Sequence, residues 1–265
     1  MLRVYHLLLG IILLFVVPVG FKFVLPLFSG NKVTTPTPTA ASTSTSATPS
    51  ATSASTTATK TNNKQENIWQ KLLGQTTVPS GWEVVPCQEN ATLLCVSDQG
   101  KSLGTVEIRV EPVKNNLEFQ KHLTAAGIPF DSKPDYQNQE NQEKLTKALQ
   151  AWVADFYTSL AKNPQGIDSS KFTFSTYPPQ QVTIGKLPGI RYGFVKLKSE
   201  SGVGEQHIGH ITYDGTQLYI ITTSFAPGGG TGKFAKLENF AVFQPYLYAI
   251  AESLNLPIQK ASTKP

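Results

Sequence analysis

The stretch QHIGHITYDGTQLYIITTSF, residues 206–225, reads as two strands folded back on each other. Both halves are rich in β-branched and aromatic residues, the composition that suits a pleated, half-buried surface. Between them Asp214-Gly215 predicts a two-residue turn of the primed type, the strongest short-range hairpin signal in the chain. Working outward, residues 171–177, 181–184 and 190–197 share the strand composition, and a polar, glycine-containing connection over 199–205 leads into the hairpin. Residues 104–111 alternate strictly. Val106, Ile108 and Val110 point one way and Glu107, Arg109 and Glu111 the other, as in a strand with one face in the core and one in water.

The helices lie apart from these runs. Over 141–161, Leu145, Ala148, Leu149, Trp152, Val153, Phe156, Tyr157 and Leu160 follow the spacing of one helical face. That spacing makes Trp152 a core residue rather than a binding platform. Pro164 and Gly166 end the element. A shorter helix is expected over 116–126, with Phe119 and Leu123 one turn apart. A third is expected over 233–254, which Pro245 either divides or re-opens at a first turn. Strand runs with segregated helices predict an α+β fold around a mainly antiparallel sheet.

Cys87 and Cys95 are the two cysteines of the chain. They flank a polar stretch between two apolar runs, 82–85 and 93–96, that read as hairpin strands. A disulfide across that hairpin suits an oxidising compartment and would contribute about 2–3 kcal/mol on the chain-entropy account. Two buried free thiols are the alternative. The spacing is not that of a Cys-x-x-Cys redox or zinc pair. Asn90-Ala91-Thr92 forms a glycosylation sequon at the turn, which matters only in a eukaryotic secretory pathway.

Ahead of the folded part, residues 1–30 hold an apolar run interrupted by Lys22 near its C-terminal end, where a lysine can snorkel to headgroups. Arg3 and the amino terminus place the positive end in the cytoplasm and the rest of the chain outside. The segment reads as an uncleaved single-pass anchor or as a cleaved signal peptide, and both send the domain across the membrane. No cysteine follows it within the run, so it is not a lipoprotein signal. Residues 31–66 form a linker. From 33 to 59 it contains only Val, Thr, Pro, Ala and Ser, a composition that cannot offset chain entropy by burial. The α+β domain is expected over 67–258, with a tail over 259–265. The formal charge of +5 misleads as a sign of nucleic-acid binding. Arg3, Lys22 and Lys32 precede the domain, all 18 acidic residues follow Lys60, and acids and bases intersperse from there on.

Motifs for chemistry are sparse. PGGGTGK, residues 227–233, departs from a phosphate-binding loop at both ends, where Pro227 replaces a glycine and Phe234 a Ser/Thr. It reads as a flexible loop before a helix. His207 and His210, three apart on a strand, point to opposite faces. Glu205 shares the face of His207, so that pair is the candidate for a divalent metal, with no other cofactor expected. Neither a Gly-x-Ser-x-Gly elbow nor a His-Glu-x-x-His helix occurs, and no carboxylate pair is marked out for acid–base work. No catalytic residues are expected.

Three stretches together resemble the PsbP-like family of extrinsic lumenal proteins of photosystem II and their relatives. They are VPSGW at 78–82, GTVEIRVEPV at 104–113, and the run from Tyr192 to Lys233 with its tyrosine-led strand, His207 and YDGTQLYI at 213–220. The resemblance covers roughly 78–254. It implies an α/β/α sandwich and a non-catalytic role: docking on a membrane complex such as photosystem II, assisting its assembly, or holding ions near it. It also implies a thylakoid-lumen or periplasmic location. Some members hold metal with a histidine of this strand and an aspartate beyond the last hairpin. His207 matches the first, and no aspartate lies between Gly215 and Pro265. The helix over 141–161, the anchor and the tether also depart from the family pattern.

The expectation is therefore a membrane-tethered, non-enzymatic extracytoplasmic interaction module. The alternative is a domain that binds a small ligand or a cell-envelope component. Strand parity places Arg191, Lys196, Lys198 and Glu205 on the surface as candidate contacts.

Overall fold

The computed structural model describes residues 66–132, 134–162, 172–198 and 202–257. The expected anchor or signal segment, residues 31–65 of the linker and the tail over 259–265 lie outside them. Among the described residues no helix is long and apolar enough to cross a membrane.

The elements run α1 (Trp69–Leu72), β1 (Trp82–Pro86), β2 (Leu93–Asp98), β3 (Lys101–Pro112), a 3-10 turn, α2 (Leu117–Ala125), α3 (Gln139–Lys162), β4 (Phe172–Thr176), β5 (Gln180–Ile184), β6 (Leu187–Lys198), β7 (Gly202–Tyr213), β8 (Gln217–Phe225), β9 (Lys233–Phe234) and α4 (Leu237–Glu252). The nine strands form one open sheet in the order β1-β2-β3-β9-β8-β7-β6-β4, with β5 also paired to β6. Every pairing is antiparallel except β8 with β9. The α+β class and the antiparallel sheet read from the sequence are therefore present.

Helices lie on both faces. Phe119 of α2 meets Tyr213 edge-on, and Phe156 of α3 packs on Tyr192, Phe194 and His207. On the other face Phe243 of α4 stacks on Trp82 and Tyr248 of α4 lies near His210. Both layers are apolar where they meet the sheet, with Leu145, Leu149 and Val153 of α3 and Phe240, Phe243, Leu247 and Ile250 of α4 all at 0% exposure. Cys87 and Cys95 are bonded across the β1–β2 hairpin.

Two expectations about chain reversal need correction. The turn after β7 centres on Gly215 and Thr216, one residue later than Asp214-Gly215, with Asp214 N–H donating to the Gln217 carbonyl (3.2 Å). The cause is the buried Asp214 carboxylate. It accepts from Thr216 N–H (2.7 Å), Thr216 Oγ1–H (2.9 Å), Gln217 N–H (2.7 Å) and the Tyr219 hydroxyl (2.8 Å), and Gly215 takes the positive φ of 104°. The C-terminal helix also starts later than 233. Lys233 and Phe234 form β9 instead, inserted where β3 and β8 splay apart. Gly104 faces Phe234 there, and a β-carbon on Gly104 would collide with the ring. Pro245 neither ends nor restarts α4 but sits within it, on an exposed position.

One contact joins α3 to the sheet edge. Between β4 and β5 the chain reads Tyr177-Pro178-Pro179, and proline has no N–H to give a ladder. Tyr177 N–H still donates to the Gly193 carbonyl (2.9 Å). The N–H of Gly193 donates to the Tyr157 hydroxyl oxygen (3.0 Å), and that hydroxyl lies 2.8 Å from the Tyr177 carbonyl, to which it donates. A side chain of α3 thus completes the edge at the proline break. Replacing Tyr157→Phe keeps the ring and removes this bridge. The expected loss is about 1–3 kcal/mol, the cost of an unsatisfied buried amide, read from urea denaturation midpoints. A loss below about 0.5 kcal/mol would refute the role.

Candidate functional site

The residues singled out in the sequence do not converge. His207 and His210 face opposite sides of the sheet, as strand period requires. The His207 ring stacks on Phe194 (centroids 5.0 Å apart) with Tyr192 and Phe156 around it, and its Nε2 is buried with no hydrogen-bond partner among the described residues. Glu205 does share its face, but a Glu205 oxygen lies 3.7 Å from Lys233 Nζ. An ammonium at that place opposes a divalent cation. Among the described residues no group of three His, Cys, Asp or Glu comes together that could hold a metal ion. The donor set therefore does not fit a metal centre.

The PGGGTGK loop is held by the sheet. Gly232 N–H donates to Thr105 Oγ1 (2.8 Å), and Lys233 N–H reaches the same oxygen (3.3 Å). Those amides are spent on Thr105 and are not offered to an anion. Lys196 is a second correction. Strand parity placed it at the surface, yet it is 8% exposed, its Nζ lying 4.2 Å from the Phe172 ring centroid and 5.7 Å from that of Phe174. The aromatic residues of β4 cover it, a cation–π arrangement that period-two reading cannot foresee. Arg191 pairs with His210 across β6 and β7 and is half-buried. Lys198 is exposed.

What the fold does build is a trough of about 870 Å³ at the β5 edge of the sheet. Its wall on one side is the polar face of α3, with Gln142, Thr146 and Gln150. Gln181 and Thr183 of β5 form the floor, and Tyr248 of α4 stands on the far side. The location follows from topology: among the described residues β5 pairs only with β6, so its other edge is left open between the two helix layers.

The register decides which backbone groups that edge presents. Thr183 lies opposite Pro188, which has no N–H and whose carbonyl accepts from Thr212 Oγ1 of β7 (2.7 Å). Thr183 and Pro188 are therefore a non-hydrogen-bonded pair, with the N–H and C=O of Thr183 turned away from β6. Two residues on, Gln181 does the same. Sequence reading missed this site because a row of glutamines and threonines on a helix looks like any solvated face. The free edge becomes visible only once β5 is known to have one neighbour.

The two buried histidines carry a pH signature. Burial, with Lys233 and Arg109 adding to it, pushes His207 down to about 4. Burial, with Arg191 adding to it, pushes His210 down to about 3. Both rings are neutral in the fold and both stay neutral well below the ordinary histidine value.

No family model matches the chain, and no curated protein matches it. Among solved structures the chain is similar to the solution structure of cyanobacterial PsbP (CyanoP) from Synechocystis sp. PCC 6803. The identity is 11% and the TM-score 0.38, over 72% of this chain and 90% of that one.

The histidines yield an acid sensitivity with a defined sign. Unfolded chains take up protons at these rings from about pH 6.5 downward, whereas the folded chain does not until about pH 4. Stability is therefore fully present above pH 6.5 and is lost as pH falls through 5 and 4. The expected loss is about 2 kcal/mol per histidine between pH 7 and 4.5. The variant His207→Phe, compared with the parent by urea denaturation at both pH values, should lose less on acidification. An identical pH dependence would show that His207 titrates normally.

Proposed function

We propose that this chain is a non-enzymatic interaction module, carried on the extracytoplasmic side of a membrane by its N-terminal apolar segment. It docks on a membrane protein complex, and photosystem II is the one to which the sequence resemblance points. The observation that carries the binding role is the trough at β5. With Glu143, Lys147 and Lys186 also lining it, its walls and floor are rich in carboxamides and hydroxyls, from Gln142, Thr146, Gln150, Gln181 and Thr183. Such groups donate and accept hydrogen bonds but do not exchange protons near neutral pH, which suits holding a partner rather than turning over a substrate.

The Cys87–Cys95 bond supports the location, since such bonds persist where the surroundings are oxidising. The Ser/Thr/Pro/Ala stretch over 33–59 supplies reach between bilayer and domain. A second reading, binding of a small ligand or a cell-envelope component, is favoured by the size of the trough, which falls within the usual range for small-molecule sites.

The test is purification of the tagged full-length chain from gently solubilised membranes, with mass spectrometry of what accompanies it. A stoichiometric membrane complex is the expected result. A partner-free chain would overturn stable docking and favour the second reading.

A further inference from the structure

Resting on the interaction-module reading, we propose that the trough receives an extended, acidic segment of the partner polypeptide, which joins the sheet as a strand beside β5. The first ground is the floor. The outward N–H and C=O groups of Gln181 and Thr183 have no partner among the described residues, and both side chains are exposed. A row of alternating donors and acceptors at strand spacing is the complement of another polypeptide backbone. A sugar or small metabolite does not reproduce that repeat.

The second ground is dimension. From Gln180 to Ile184, four strand steps, β5 spans about 14 Å. The α3 wall, from Gln139 to Gln150, climbs about 17 Å over eleven helical steps. Floor and wall are similar in length and accommodate a segment of about five residues. On an added strand, alternate side chains would point to α3 and to Tyr248. This geometry also disfavours a second copy of the chain. The β5 edge is flanked by α3 and by Tyr248, and a copy approaching edge to edge would carry the same raised walls. A lone strand meets no such obstacle.

The third ground is charge. Lys147 and Lys186 line the trough, and neither has a carboxylate partner among the described residues. Glu143 also lines it and offsets one of these two lysines, while the neighbouring Lys144 is paired with Glu140 (2.6 Å). The unmatched charge is positive, so the fitting segment carries aspartate or glutamate. Nor does β5 carry the usual protection against strand addition: Gln180, Gln181, Val182, Thr183 and Ile184 include no charge and no proline.

The experiment places a photo-crosslinking residue in the full-length chain in its own membranes. Thr183→p-benzoylphenylalanine probes the trough, and Arg109→p-benzoylphenylalanine probes the exposed face of β3. The expected result is an adduct from position 183 that maps to an acidic stretch of another protein. An adduct from position 109 alone would overturn the strand site while leaving the module reading intact. An adduct to a second copy, or to another part of the same chain, would overturn the proposed occupant. No adduct from either position would count against the module reading itself.

Strand addition is then separated from mere proximity by Thr183→Pro. Proline is tolerated at an edge where the lost N–H faces outward, so the β5–β6 ladder and the melting temperature should be preserved. Partner recovery should fall at least tenfold. Lys147→Glu, on an exposed helix face, should weaken recovery similarly without touching the backbone. Recovery unchanged in both variants would contradict the proposal.

Discussion

At the sheet edge, where Pro178 and Pro179 interrupt the ladder, the Tyr157 hydroxyl bridges β4 and β6 by accepting from Gly193 N–H and donating to the Tyr177 carbonyl. That contact draws the C-terminal half of α3 down onto Gly193, and much else follows from it. With α3 seated, Trp152 and Phe156 close over Tyr192, and Tyr192 in turn lies over Gly209, where any β-carbon would collide with its ring. His207 is enclosed by the same aromatic group and loses its affinity for protons. The N-terminal half of α3 is left standing beside β5 as a polar wall. The proline break also divides the edge into β4 and β5, so β5 becomes a short strand with one neighbour.

Much of this architecture was legible because it follows from period. The apolar spacing from Leu145 to Leu160 placed α3 within two residues of its ends, and the alternation of Val106, Ile108 and Val110 gave β3 its buried face. Period also separated His207 from His210. Reading failed where a tertiary partner overrode a local signal. Asp214-Gly215 is a strong turn dipeptide, yet the Asp214 carboxylate captured the amides of Thr216 and Gln217 and moved the turn by one residue. Lys196 stands at a position whose charge argues for solvent, but the Phe172 and Phe174 rings offer it an alternative. Residues 233–234 have no strand signal of their own. They form β9 because Gly104 leaves a space that the Phe234 ring fills.

The candidate site was not legible, for a related reason. Metal and catalytic sites announce themselves by residue type, and the search by residue type led to His207 and Glu205, which the fold gives to an aromatic cluster and to Lys233. The trough has no such signature. Its specificity resides in backbone groups of Gln181 and Thr183 that every residue possesses, made available by strand order. What the sequence does convey is composition: an apolar N-terminal run, a stretch of only Val, Thr, Pro, Ala and Ser over 33–59, and two cysteines that the fold brings together across a hairpin. On the proposed reading, a free edge between two helices would be the means of touching another chain.

The claim beneath the whole account is that the domain works outside the cytoplasm. The most direct measurement is the redox state of Cys87 and Cys95 in intact cells, quenched in acid and treated with a maleimide polymer that adds mass to each free thiol. The account requires no added mass without prior reduction and two additions after it. Two additions without reduction would place the domain in a reducing compartment and contradict the account.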